Sequence, residues 1–246
     1  MTNNTSINGE YAKCWLCGCN DNAIILRVKE GTLAKCNHCN LIYAYVRPTK
    51  NSLLDISIDY LPSSTGSISA FDARMKEANE DFERIEKYSK KGKVFDVGAS
   101  NGLFAKVGTE RKWKIVGNEI SIKAIEYAKK TFGITLHYGF LDDIKLEKNY
   151  YDVVTMIQVI EHLRHPIMEL NITKEILKAG GLIYITTPIH AENEEFLIKN
   201  HMLPHHLTNF TEETLRKLFK ICDLKIIFME RYEVNEFPYI RVLCKK

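Results

Sequence analysis

The sequence predicts an α/β fold: an open, doubly wound sheet with a small cysteine-bearing module ahead of it. Three observations carry this expectation. Short apolar runs alternate with helical periods from Lys93 onward. A glycine turn, Gly98 to Gly102, joins the first of those runs to the first helix. Two C-x-x-C pairs, Cys14/Cys17 and Cys36/Cys39, precede both. The chain divides on these grounds at 1–50, 51–92 and 93–246.

Residues 1–10 are polar and carry no pattern, so frayed backbone is expected there. The two cysteine pairs follow, 18 residues apart, with an apolar stretch Ala23–Val28 and a turn at Gly31 between them. Two knuckles at that distance read as a four-cysteine zinc ribbon over 1–50. Four thiolates can close a tetrahedral shell around one structural Zn²⁺ and leave no open catalytic position. A piece this small buries too little core to fold alone, so the metal would supply folding energy. Leu41–Val46 completes the ribbon as a strand, and Pro48 ends it.

Asn51–Ser69 is polar, with Pro62 and Gly66, and reads as a linker or flap. Ser69 is expected to cap a helix running to about Tyr88. Phe71, Met75, Ala78, Phe82 and Ile85 recur at steps of 4, 3, 4 and 3, which is one helical face. That helix completes the segment 51–92 and is expected to pack on the main domain.

In the main domain, 93–246, strands are expected at 93–97, 113–118, 134–138, 151–157, 181–187, 224–231 and 239–244. Helices are expected at 102–110, 121–131, 166–178 and 211–221, with Thr211 starting the last. The final two strands are joined too tightly for a crossover helix, so they pair antiparallel. Residues 189–209, rich in histidine, form a long insertion at the sheet's C-terminal edge. Loops that long in compact domains usually serve function.

The glycine turn departs from the dinucleotide fingerprint. Ser100 stands where the second glycine should make room for a pyrophosphate, and Leu103 stands at the third position. A ligand with a ribose but no phosphates fits better. Glu119, at the tip of the next strand, is placed to accept from ribose hydroxyls; the alternative is a surface acid in a loop.

In order, FDVGASNG, VGNEIS, GFLDDI, YDVVTMIQVIEHLRHP and GGLIYITTP resemble the motifs of class I S-adenosylmethionine-dependent methyltransferases, from about Lys93 to about Cys244. The resemblance implies a Rossmann-like seven-stranded sheet whose antiparallel last strand is inserted between its neighbours. It also implies S-adenosyl-L-methionine as cofactor. The residues it assigns to that cofactor are Asp96, Gly98, Ala99, Gly102, Glu119, Ile120, Leu141, Asp142 and Gln158. Asp96 braces the loop, Asp142 accepts from the adenine amino group with Asp143 as alternate, and Leu141 packs on the ring. Gln158 faces the methionine end. Glu161 and His162 resemble the family's E-H turn, which hydrogen bonds hold together; a direct catalytic part for His162 is the alternative.

A zinc ribbon ahead of this domain resembles bacterial methyltransferases of surface-glycan and sugar pathways. In zinc-containing sugar C-methyltransferases an E-H-x-x-x-F-S stretch carries a histidine read as the base. Here His206 falls on that histidine, Phe210 on the aromatic and Thr211 on the serine, while His205 stands where glutamate is expected. A hydroxyl or carbon acid must lose a proton to become a nucleophile, and histidine is suited to take it. His206 is therefore the candidate base with His205 beside it; the alternative is that His206 braces its own loop.

The expected activity is methyl transfer to a small polar acceptor, a sugar or nucleotide-linked sugar of glycan or secondary-metabolite biosynthesis. The alternatives are a zinc-ribbon RNA base methyltransferase and a cofactor-binding subunit without catalysis. A net charge of +3 over 246 residues, with Lys13, Arg27, Lys29, Lys35 and Arg47 scattered over the ribbon, offers no dense basic patch for nucleic acid. No apolar run approaches a membrane span, and the first residues lack the apolar core of a signal peptide, so the cytoplasm is the expected compartment.

Overall fold

The computed structural model describes residues 9–11, 13–62 and 65–246. The expectation for residues 1–10 lies mostly outside these. Gly9–Tyr11, however, forms a short strand, β1.

The cysteine module contains β2 (Asn22–Val28), β3 (Gly31–Cys36), β4 (Ile42–Ala44) and β5 (Val46–Pro48). β2, β3 and β4 form an antiparallel meander, and β1 pairs with β5. Where a linker was expected, Lys50–Ser57 is a helix, α1; Thr49 caps it by accepting from the Ser52 amide. The long helix α2 runs from Ile68 to Glu86 and is capped by Ser67 rather than Ser69. Ser67 accepts from the Ala70 amide, as an N-cap hydroxyl should.

Then come β6 (Lys93–Val97), α3 (Leu103–Glu110), β7 (Lys114–Glu119) and α4 (Ile122–Tyr127). A π-helical turn, Ala128–Phe132, extends α4. β8 (His137–Tyr138), β9 (Tyr151–Ile157), α5 (Pro166–Ile176) and β10 (Leu177–Pro188) follow. The insertion is partly ordered into α6 (Glu194–Lys199) and a two-residue strand, β11 (Thr208–Asn209). The chain closes with α7 (Glu212–Ile221), β12 (Lys225–Val234) and β13 (Phe237–Lys245). Thr211 and Thr214 form the capping box of α7.

The main sheet has seven strands in the order β12-β13-β10-β9-β6-β7-β8. β13 runs antiparallel to both neighbours, and with β12 the short final connection requires it. Helices cover both faces, so the central strands are apolar on alternate residues in both directions. Val94, Val153, Leu182, Tyr184 and Leu243 pack against Phe82 and Ile85 of α2 and Leu103, Phe104 and Val107 of α3. Phe82 stacks on Phe104 with centroids 4.4 Å apart. On the other face Phe95, Val154, Met156, Ile183 and Val242 pack with Leu215, Leu218 and Phe219 of α7. The same cluster continues into Cys14, Leu16, Cys36, Leu41 and Tyr43 of the cysteine module.

A second, four-stranded sheet has the order β11-β4-β3-β2. Its edge strand β11 comes from the insertion, with Thr208 opposite Tyr43 and Asn209 opposite Ile42. Among the described residues no helix is long and apolar enough to cross a membrane.

Close approach of β6 and β7 is what shapes the binding rim. A Cβ at Gly117 would stand 2.3 Å from the Asp96 carbonyl oxygen and 3.0 Å from the Ala99 Cβ. Gly117→Ala should therefore destabilise the chain by about 1–3 kcal/mol, read as a lower midpoint in urea unfolding. An unchanged midpoint would mean that the two strands part freely there.

Candidate active site

The turn after β6 is held by geometry that only some residues tolerate. Gly98 has φ 63°, and a Cβ there would meet the Val159 side chain at 2.8 Å. Gly102, with φ 75°, is the left-handed cap before α3. Between them Ser100 also takes positive φ. Its amide donates to Glu119 Oε2 at 2.8 Å, while the amides of Ile120 and Ser121 donate to Oε1 at 2.6 and 2.8 Å. Glu119 thus ties the glycine turn to the tip of β7. A carboxylate has about four lone-pair sites, so acceptor capacity remains for a ligand. The alternative of an exposed loop acid is set aside by its burial, at 8 % exposure.

Asp96, at the end of β6, is buried and accepts from Thr155 Oγ1 at 2.6 Å. Burial pushes its carboxyl up to about 7; the Thr155 bond opposes this and the nearby Glu119 adds to it. The Asn118 side-chain amide donates to the Gly139 carbonyl at 2.9 Å and so fixes the turn that leads to Leu141 and Asp142. Leu141 is fully buried. Asp142 and Asp143 both accept from Lys50 Nζ of α1, at 2.7 and 2.6 Å. Gln158, with φ 57°, turns away from β9 and donates from Nε2 to Thr186 Oγ1 at 3.2 Å.

Beyond Gln158 the rim meets the insertion. Glu161 Oε2 accepts from Thr187 Oγ1 at 2.9 Å, and burial pushes this carboxyl up to about 8. His162 Nδ1 donates to the His205 carbonyl oxygen at 2.9 Å. The His162 and His206 rings meet edge to face, with centroids 4.7 Å apart. His206 is buried and held neutral: burial pushes it down to about 2, with His162, His190 and His205 adding to the effect. His205 is exposed beside it. Phe210, fully buried, packs edge-on against Trp15 of the cysteine module.

One cavity of about 550 Å³ runs between these groups. It brings together Asp96, Gly98, Ala99, Glu119, Ile120, Leu141, Asp142, Gln158, His162, His205 and His206. Gly102 shapes the turn from outside its lining. The four cysteines form a separate group, with Sγ atoms all within 4.8 Å of one another.

The cavity also has walls that the sequence reading did not assign. Lys50, Leu53 and Ile56 cover it from α1, beside Tyr60, which the flap reading offers as a candidate substrate contact, and Arg74, Glu77 and Asp81 line it from α2. Ser121 Oγ donates to the Tyr60 carbonyl at 2.6 Å and fastens that cover. Glu169 lines it too, as does Glu161 of the expected E-H turn, and Tyr239 reaches it from β13. The polar stretch after Pro48 carried no period that would have placed Lys50, Leu53 or Ile56 there. The acids of α2 do fall on the helix face next to Ala78 and Phe82, which was the available signal.

A methyltransferase domain family model matches residues 71–227. A ubiquinone biosynthesis O-methyltransferase of Haemophilus ducreyi is 27 % identical over 105 residues, covering 39 % of this chain and 44 % of that relative. The chain thus spans less than half the length of that curated relative. Among solved structures, a SAM-dependent methyltransferase from Thermotoga maritima, described as a possible histamine N-methyltransferase, superposes with TM-score 0.55 at 20 % identity. It covers 69 % of this chain and 89 % of its own. A SAM-dependent methyltransferase from Archaeoglobus fulgidus gives 0.57 at 17 % identity, over 70 % and 94 %. With the matched model spanning the glycine turn, most of the cavity lining and the parallel strands of the main sheet, the chain belongs to the methyltransferase domain family of class I, S-adenosylmethionine-dependent type.

Proposed function

We propose that this protein transfers a methyl group from S-adenosylmethionine to a hydroxyl of a small polar acceptor, a sugar or nucleotide-linked sugar being the class first expected. The observation that carries the reading is the single cavity joining the Gly98–Glu119 end to the Gln158–His206 end. A cavity of that volume suits a small ligand pair. The O-methyltransferase named among the relatives supports oxygen as the methylated atom.

S-adenosylmethionine supplies an electrophilic methyl group on a sulfonium sulfur. The chain's own residues bind and orient it. Glu119 takes the ribose hydroxyls on its remaining lone pairs, Asp142 the adenine amino group beside its bond to Lys50, and Leu141 the ring face. Asp96 braces the turn through Thr155, with Gly98, Ala99, Gly102 and Ile120 shaping it. Gln158 borders the reacting end. His206, with His205 and His162 beside it, faces the acceptor. Its imidazolium would be costly in so buried a position, so its help to the leaving proton depends on what shares the site.

We also propose one structural zinc at Cys14, Cys17, Cys36 and Cys39. Sγ pairs stand at 3.4 and 3.5 Å, close to the roughly 3.8 Å edge of a tetrahedron with Zn–S near 2.3 Å. Burial pushes the Cys39 thiol up to about 11 and Cys14 higher still, whereas at Cys36 burial is outweighed by backbone N–H groups of Cys39 and His38, with the Cys17 and Cys39 side chains, which bring that thiol down to about 7. Such donors suit a thiolate.

Three measurements test these readings. Glu119→Ala should weaken cofactor binding by about 1.5–3 kcal/mol, the cost of lost charge-assisted bonds; unchanged affinity by calorimetry would remove Glu119 from the site. Metal analysis should find about one zinc per chain, held by four sulfurs in X-ray absorption, and metal-free folded protein would refute the ribbon. The acceptor is tested by screening nucleotide-sugars and phenols for S-adenosylhomocysteine release. Turnover confined to RNA would overturn the small-molecule reading.

A further inference from the structure

Glu161, His162 and His206 converge at the acceptor end of the cavity. One ligand atom of each lies within 4.8 Å of the others. Two of the residues are neighbours on the turn Ile160–His162, and the third arrives from the insertion. The Leu207 amide donates to the Glu161 carbonyl oxygen at 2.8 Å and locks that approach.

The three side chains are prepared in a particular way. Glu161 is 1 % exposed; Thr187 satisfies Oε2, but Oε1 has no partner. A carboxylate oxygen left unpaired at that depth is costly unless a proton or a cation meets it. His162 gives its Nδ1 proton to the His205 carbonyl, so its Nε2 keeps a lone pair. Hydrogen bonds of these two kinds, hydroxyl to carboxylate and imidazole N–H to carbonyl, are those that orient metal ligands from behind. His190 also has an unpartnered Nε2, but it packs among Phe196, Phe237 and Tyr239 outside this group.

We propose that Glu161, His162 and His206 bind one divalent transition-metal ion, distinct from the four-cysteine site. Two imidazole nitrogens and one carboxylate oxygen suit manganese(II), iron(II), cobalt(II) or zinc. Three protein ligands leave coordination positions open toward the cavity, where Gln158, Met202 and Tyr239 stand. The inference rests on the methyl-transfer reading and deepens it: the acceptor is a hydroxyl compound that coordinates through oxygen. On coordination its O–H bond breaks, the proton passes to solvent water, and the electron pair stays on oxygen as the nucleophile. This removes the need for a charged His206.

The test uses the full chain with its cysteine site intact. Mn²⁺, which thiolates bind poorly, is titrated and followed by electron paramagnetic resonance. One saturable site per chain is expected. Thr187→Val should weaken it about 10–100-fold as loss of an orienting bond, and Glu161→Gln or His206→Gln at least as much. S-adenosylmethionine affinity, measured in the same samples by calorimetry, should stay within a few-fold. Absence of saturable Mn²⁺, Co²⁺ or Zn²⁺ binding to the folded wild type overturns the site, as does equal affinity in Glu161→Gln. Failure to bind S-adenosylmethionine would instead overturn the methyl-transfer reading, whatever the Mn²⁺ result.

Discussion

The peptide groups on either side of Leu207 hold the site together. The Leu207 amide donates to the Glu161 carbonyl at the rim of the main sheet, and its own carbonyl accepts from the Ala44 amide in the cysteine module, at 2.8 and 2.9 Å. Two residues later the chain has paired as β11 with β4. Three segments far apart in sequence are thereby set against one another. His205 and His206 lie just before this anchor, so their positions follow from it. The cysteine module is in this sense a wall of the site. Its Cys14, Leu16 and Tyr43 share a hydrophobic cluster with Phe210, Leu215 and Phe219. Loosening the module would release the strand that fixes His206.

The cavity's electrostatics follow from burial. Asp81, Asp96, Glu161 and Glu169 all line it, and burial is the leading cause that raises each carboxyl, to about 6, 7, 8 and 7. Tyr184 and Arg241 partly counter this at Asp81. At Glu161 a backbone N–H and the Thr187 hydroxyl oppose it, with no cation beside them, and one oxygen lacks a partner. A cationic ligand brought into such a cavity draws these groups toward their charged forms. Acid residues and a positively charged cofactor are therefore mutually stabilising there, in a way that neither exposed acids nor a neutral ligand would be.

The glycine turn, the central strands and the start of α7 were legible because their causes are local. Gly98 and Gly102 sit where positive φ is needed, and Thr211 with Thr214 make a reciprocal cap within four residues. The alternating runs at Lys93–Val97 and Tyr151–Ile157 named the central strands directly. α1 escaped notice for a related reason. Its apolar residues are few, and Leu53 is buried against the insertion's Leu197, Leu203 and Leu207 rather than against a neighbour in sequence.

Residue types and spacings by themselves determined a doubly wound sheet, a glycine turn between its first strand and helix, two cysteine knuckles and a histidine-rich insertion after the fifth strand. Tertiary structure alone decided which of these meet. Lys50 reaching Asp142 and Asp143, Ser100 donating to Glu119, and His206 against His162 and Glu161 are all pairings across long loops. Local sequence fixes backbone preference within a few residues. Contacts between distant side chains depend on how whole elements pack, and burial, which sets the chemistry of each buried carboxyl and imidazole, exists only once they have packed.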